Sequence, residues 1–448
     1  MKKYDMLSDS PAKSLFFFAL PMILGNLFQQ FYNLADSVIV GRFLGEDALA
    51  AVGASYSLTN VFIMIAIGGG IGASVITSQY FGAKNYAKMR TSAYTSLISY
   101  LILSVLLAVF GYAFHPGILT LLKTPQNIYA DACTYLKIYF TGLPFLFMYN
   151  VLSAKFNALG RSKIPLFLLI FSSLLNVGLD ILAVSALNMG IAGAAAATVF
   201  SQGISAVMSL IILIKLLNGY KNDNDEKEQL YSFKLLWRIT RISIPSIIQQ
   251  SIVSVGILLC QSAVNSFGSS VLAGYTAASR IESICIVPMI ATGNAVSTFT
   301  AQNLGAKNPE RVQKGFAAGV KMVGCFAVIL LIAVKLFGNM AVRAFLDENS
   351  TAAAYETGAA YAGFLAFFYV LIGLKATSDG VLRGAGDMPV YMTANLVNLA
   401  SRVLIANLLS PIYGVQMIWY AIPIGWFLNF VISFVWYRTE RWKEKKII

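Results

Sequence analysis

Asn26, Gln29, Asn33 and Asp36 recur at spacings of three and four inside a long apolar run of this 448-residue chain. At about 100° per residue they share one face of a helix. Ser173, Asn176 and Asp180 repeat the pattern in a second apolar run, and Thr198, Gln202 and Ser205 in a third. A stripe of this kind has to face a bundle interior or water, because a charge left in hydrocarbon costs about 2.5–3.5 kcal/mol. Carboxylates enclosed together oppose each other's ionisation through desolvation and like charge. The chemistry these residues suit is ion exchange: Asp36 and Asp180 can hold a proton at one stage of a cycle and a cation at another. The plainer alternative leaves Asp36 at a wet helix mouth and pairs Asp180 with a neighbouring amide. Asn26, Gln29, Asn33, Ser173 and Gln202 are candidate contacts for a guest molecule. Tyr139 and Tyr149, with Tyr32 and Phe156 beside them, could stack on a flat or cationic one.

The elements that position these residues follow from composition. Hydrophobic residues make up 57% of the chain and charged ones 12%, roughly half the usual charged share of a soluble domain. A soluble enzyme, a disordered chain and a fibrous chain are excluded. His115 is the single histidine and is expected in an outer loop, so histidine-based catalysis has no raw material. The sequence contains no GxxxxGK[ST], no HExxH and no CxxC, so neither a P-loop nor a metal site is expected. Cys133, Cys260, Cys285 and Cys325 read as packing residues. No enzyme activity and no cofactor are expected. The glycines of GGGIGAS, residues 68–74, lie inside an apolar helix and read as packing positions.

Apolar segments lie near 14–40, 48–77, 91–114, 134–155, 164–186, 190–216, 235–266, 270–300, 315–337, 357–381, 389–410 and 414–437. Each can supply the roughly 20 residues a bilayer span needs. The runs are continuous and not alternating, which selects helices over barrel strands. The first is too long and too polar for a cleavable signal. The net charge of +13 does not mark a nucleic-acid partner. Of the 33 basic residues, 24 fall in connections on one side, among them Lys84, Lys155 and Arg161, and 4 on the other. That bias places both termini in the cytoplasm of a multi-pass protein of a prokaryotic inner membrane.

The chain is duplicated. Residues 79–85 read QYFGAKN and residues 302–308 read QNLGAKN. Near the same offset Pro21 meets Pro245, Pro165 meets Pro389 and Gly190 meets Gly414. The expected fold is all-α, twelve transmembrane helices in two six-helix bundles. The expected domains are residues 1–217, a cytoplasmic linker 218–234, and residues 235–448. Two even-numbered halves form a parallel repeat about an axis along the membrane normal, enclosing a central cleft, and a single chain suffices. The second half carries Arg280, Glu282 and Arg402 within spans, as either functional groups or structural pairs. Asp379, Arg383 and Asp387 are expected as charge pairs at the inner surface.

The run from Asp36 to Gly45 with ALAA after it, QxxGAxN after the second and eighth helices, and the Asn176/Asp180 pair together resemble the multidrug and toxic compound extrusion (MATE) transporters. The resemblance spans the whole chain and is strongest to the prokaryotic DinF-like branch. It implies an antiporter that expels organic cations against inward H⁺ or Na⁺. It also implies that Asp36, Asn176, Asp180 and Thr198 couple the ion. Related members carry a Glu in the seventh helix and an Asp in the tenth. This chain has no acid at the former position, and Asp379 matches the latter poorly. The functional expectation is efflux of small amphipathic or cationic compounds, with an organic substrate and the lipid bilayer as partners and no nucleic-acid partner. The rival readings are a lipid-linked oligosaccharide flippase and a non-transporting receptor or scaffold.

Overall fold

A backbone crossing hydrocarbon has to satisfy its own polar groups, so the apolar runs become helices. The structure, a computed structural model, describes residues 5–220, 228–346 and 350–445, with the backbone alone at positions 57 and 257. Lys2, Lys3, Lys221, Lys227 and Lys446, counted above among the inner basic residues, lie outside the described residues, as does residues 221–227 of the linker. Among the described residues there is no strand. The helices are α1 (Pro11–Leu44), α2 (Glu46–Gly82), α3 (Tyr86–Leu121), α4 (Gln126–Ala158), α5 (Lys163–Ile181), α6 (Gly190–Asn218), α7 (Phe233–Asn265), α8 (Ser269–Cys285), α9 (Val287–Gly305), α10 (Pro309–Phe345), α11 (Ala352–Leu365), α12 (Tyr369–Ala385), α13 (Met388–Leu404), α14 (Ser410–Tyr413) and α15 (Gln416–Arg438).

These make twelve spans. The pairs α8–α9, α11–α12 and α13–α14 each form one crossing. Eleven crossings among the described residues are long and apolar enough by composition. The twelfth is α4, whose 33 residues include Asp131, Lys137 and Lys155. Several helices overrun their apolar segments. The 37 residues of α10 rise about 55 Å against roughly 30 Å of hydrocarbon, so its ends project past the apolar layer. Large apolar side chains stand on the outside: Phe31, Leu106, Val109, Leu336 and Met340 are all exposed. In water such a surface is untenable, and in lipid it is the expected one.

The duplication is structural. Both GAKN segments stop one helix and start the next in the same way. Lys84 and Lys307 take φ of 55° and 56°. The Asn85 and Asn308 side chains then cap the following helix, accepting from the Lys88 N–H at 3.0 Å and the Arg311 N–H at 3.1 Å. Gly45 and Gly268 match at φ of 88° and 93°, values that a side chain would strain. A π-helical turn follows α5 at Leu182–Ala186, and its counterpart follows α13 at Ile405–Leu409.

The chain forms two compact units. One comprises Met1–Ile23 with Ile248–Ile448, the other Leu24–Ile247. The chain passes from one unit to the other at two points. They fall within α1 and α7, two residues beyond Pro21 and Pro245. A proline inside a helix removes one backbone hydrogen bond and crowds the preceding turn, which suits a point where a helix leaves one unit and enters the other.

In the unit containing residues 248–448, α9 and α12 touch through backbone. A Cβ on Gly293 would lie 2.5 Å from the Ala376 carbonyl oxygen, and one on Gly380 would lie 2.5 Å from the Gly293 carbonyl oxygen. Without a hydrophobic drive between helices in lipid, such close contact is what holds them. Gly380→Val is expected to cost about 1–3 kcal/mol by overpacking, read as a lower melting temperature in detergent. An unchanged melting temperature would show that this contact gives way freely.

Candidate functional site

In the unit Leu24–Ile247, α5 carries Ser173, Asn176 and Asp180 on the face buried against α6; they are 4%, 1% and 0% exposed. The Asn176 carboxamide organises the group. With the amide turned so that its oxygen accepts from the Thr198 N–H at 3.1 Å, its nitrogen donates to Asp180 Oδ2 at 2.9 Å and to the Tyr32 hydroxyl at 3.0 Å. Helix α1 brings Asp36 within hydrogen-bonding reach of Asp180. Tyr135 on α4 lies beside both carboxyls and stacks on Tyr139 at 6.3 Å. Asp180 Oδ1 is buried and meets no donor among the described residues. Two carboxyl groups in contact oppose each other's ionisation, and such a pair has the chemistry to share one proton or other small cation. The π-helical turn begins two residues after Asp180, a distortion often found at functional positions.

Nearby lies a polar cavity of about 40 Å³ lined by Gln29, Tyr32, Tyr149, Ser173, Ser201 and Gln202, with Leu169 and Ser172. Water fits there and an organic guest of drug size does not, since such guests occupy several hundred Å³. Gln29 also donates to Asn33 Oδ1 at 3.1 Å along α1.

The other unit holds a different buried group. Glu282 on α8 accepts a short hydrogen bond from Tyr361 on α11. The Tyr361 ring is stacked between Tyr275 at 5.2 Å and Trp419 at 5.7 Å. Arg402 on α13 lies close enough to act on Glu282 electrostatically, but no ion pair joins them among the described residues, and Arg402 Nε has no acceptor.

Residues 21–182 and 245–408 match the family described as MatE, once in each half of the duplication. The chain belongs to the MATE family. The chain is similar to "Probable multidrug resistance protein YpnP" of Bacillus subtilis (strain 168), at 32% identity over 100% of this chain and 99% of the relative. It is also similar to "Probable multidrug resistance protein YoeA" of the same strain, at 28% identity over 97% of this chain and 95% of the relative. A solved structure described as "Outward-facing conformation of a multidrug resistance MATE family transporter of the MOP superfamily" superposes with a TM-score of 0.90. It is 23% identical and 98% of each chain is covered, a likeness of fold.

Several sequence expectations meet a different placement in this MATE chain. Gln29, Ser173, Gln202 and Tyr149 line the cavity, and Asp36, Asn176, Asp180 and Thr198 gather beside it. Asn26 and Asn33 stand exposed on α1 instead of lining it, and Tyr139 is buried away from it. Phe156 is fully buried packing. Arg280 points to the exposed side of α8, away from Glu282. His115 is not in a loop. It is 7% exposed within α3, its Nδ1 2.8 Å from the Tyr112 carbonyl oxygen. Asp379 and Asp387 do form charge pairs, but the two residues are only 6% and 1% exposed: Asp387 Oδ1 lies 3.2 Å from the Nζ of the more exposed Lys445. Asp379 binds Lys375 Nζ at 3.0 Å, Asn395 Nδ2 at 3.2 Å and Ser433 Oγ at 2.7 Å, while Arg383 donates to Asn294 Oδ1 at 2.6 Å. Lys155, counted as an inner-surface charge, is 0% exposed. Its ammonium donates to the Ala73 carbonyl at 2.9 Å and to Thr77 Oγ1 at 2.8 Å. The reach of a lysine stem across a close helix contact, here α4 on α2, explains how a loop-edge charge ends up inside.

Tyr32 as the hydrogen-bond acceptor for the Asn176 amide, Tyr135, Ser172 and Ser201 were not singled out as site residues. Tyr32 lies three residues after Gln29 and four before Asp36, which puts it on the same helical face. That spacing was the available signal, obscured because a tyrosine reads as an apolar ring.

Proposed function

We propose that this protein is a secondary active multidrug efflux antiporter that expels small amphipathic or cationic organic compounds in exchange for H⁺ or Na⁺. The observation that carries the reading is the contact between Asp36 and Asp180 with Asp180 Oδ1 left without a donor. The names of the Bacillus relatives support multidrug export. In the proposed cycle the ionised pair attracts a cationic guest on the cytoplasmic side. A proton or Na⁺ then enters between the carboxyls and weakens that attraction, and the guest leaves outward by alternating access. Asn176 and Tyr32 hold Asp180 in place through this exchange, and Thr198 fixes the Asn176 amide. Both termini face the cytoplasm of a prokaryotic inner membrane, as the excess of Lys and Arg in one set of connections supports. One chain carries the whole device.

The second-half charges fit a structural role better than a coupling role. Glu282 is engaged by Tyr361, and Asp379 is neutralised by Lys375. A cavity with no basic residue in its lining and two carboxyls beside it also disfavours a lipid-linked pyrophosphate, so the flippase reading is set aside.

The deciding experiment is transport of a fluorescent organic cation in proteoliposomes under separately imposed H⁺ and Na⁺ gradients. One of the two gradients is expected to drive export. Asp180→Asn is expected to uncouple it, leaving downhill flux of the cation with no response to either gradient. Export by neither gradient, or an unchanged coupling ratio in the variant, would refute the proposal.

A further inference from the structure

The unit containing residues 248–448 carries a feature that the efflux reading does not use. A groove of about 660 Å³ runs between the first turns of α1 and one face of α10. Its walls are mainly apolar, with Pro11 and Phe16 on one side and Ala317, Met322, Phe326 and Ile329 on the other. Lys314 and Lys321 belong to the same lining. They are seven residues apart, two turns along one face of the helix. Both are exposed, and neither makes an ion pair or hydrogen bond among the described residues.

We propose that this groove binds one anionic phospholipid, its acyl chain along α10 and its phosphate between Lys314 and Lys321. Three observations favour that occupant. The lining of α10 beyond Lys321, to Ile329, covers about 12 Å of helix, which fits within the roughly 15 Å of hydrocarbon in one leaflet. Side chains on a helix lean toward its N-terminus, so the Lys321 ammonium reaches back toward Lys314 and toward the end of the span. Lysines at that level, beside an apolar slot, complement a negative headgroup with attached tails. The nearest acids in sequence do not neutralise them. Asp9 accepts from the Asp5 N–H at 2.8 Å, and Glu310 forms no ion pair with Lys314. The same two charges repel a cationic organic guest, so the groove is not a second port for such a substrate.

The test reconstitutes the full chain in bilayers of equimolar phosphatidylcholine and phosphatidylglycerol, extracts it gently, and counts retained lipids by native mass spectrometry. Wild type is expected to retain one phosphatidylglycerol in preference to phosphatidylcholine. Each lysine near an anionic headgroup is worth about a factor of five, so Lys314→Gln with Lys321→Gln is expected to reduce the preference roughly thirtyfold. Ala318→Trp keeps both lysines and fills the slot, and is expected to expel the retained lipid. Equal retention of the two lipids by wild type would overturn the proposal. So would a preference that survives the double glutamine substitution or the tryptophan. Competition by inorganic phosphate at millimolar level would also overturn it, because it would mean the lysines take an anion without its tails. Gradient-driven cation export, measured on the same preparations, reports separately on the carboxyl pair.

Discussion

Asp36→Asn is expected to stop gradient-driven export while leaving the protein folded and in the membrane. The amide is nearly isosteric with the carboxyl, so the packing of α1 survives. It also carries two N–H donors, one of which can reach the bare Asp180 Oδ1. The variant thus imitates the pair with a proton between its members and cannot release that proton. Stability should be unchanged or slightly raised, since a buried unsatisfied acceptor costs about 1–3 kcal/mol and here gains a partner. Transport should fall steeply. At about 150 mV a coupled charge contributes about 3.5 kcal/mol, so each ion no longer exchanged lowers the attainable gradient of the guest roughly 300-fold. The measurement pairs a melting curve with accumulation of a fluorescent cation. Wild-type export by Asp36→Asn would remove the pair from the mechanism, and loss of export with loss of folding would reduce Asp36 to a structural residue.

Lys375→Ala should show the opposite signature. Lys375 and Asp379 form an ion pair at 3.0 Å with side chains 16% and 8% exposed. Removing one partner strands the other charge, a loss of about 3–5 kcal/mol for a fully buried pair. The remaining exposure of the lysine places the expected value near the lower end. Asn395 and Ser433 can still donate to Asp379, but neither supplies a charge. A double variant, Lys375→Met with Asp379→Asn, should recover most of the stability, because no charge is then left unpaired. Thermal unfolding of both proteins in one detergent tests this. A single variant as stable as wild type would mean that a cation from solution replaces the ammonium, and Asp379 would then rejoin the candidate ion sites.

The contrast between the two units was partly legible beforehand. At an offset of 222 residues Asp180 falls on Arg402, and the seventh helix carries no acid, both visible in the chain as written. That Asp379 carries its own counterion was not visible. Lys375 and Asp379 stand four residues apart, a spacing that a solvated helix surface uses just as often. Only the packing of α13 and α15 over α12, with Asn395 and Ser433 turned inward, converts a surface pattern into a buried network. His115 failed for a related reason. A polar residue beside Pro116 near the end of an apolar run suggests a loop, yet α3 continues through both residues to Leu121. The Tyr112 carbonyl satisfies the ring within the helix.

Apolar run length, basic-residue placement and the repeated GAKN turns were sufficient to establish a duplicated, twelve-span helical membrane protein. Helical spacing likewise marked Asp36, Asn176 and Asp180 as sharing faces. These properties are local: each depends on a few neighbouring residues and on the cost of leaving backbone or charge in hydrocarbon. Tertiary structure alone decided that α1 and α7 change units just past their prolines, that Tyr32 completes the Asn176 cluster, and that Lys155 is buried on α2. A helical period states which residues look the same way. It does not state what they look at, because that depends on contacts between segments far apart in the chain, set by the fit of whole helix surfaces.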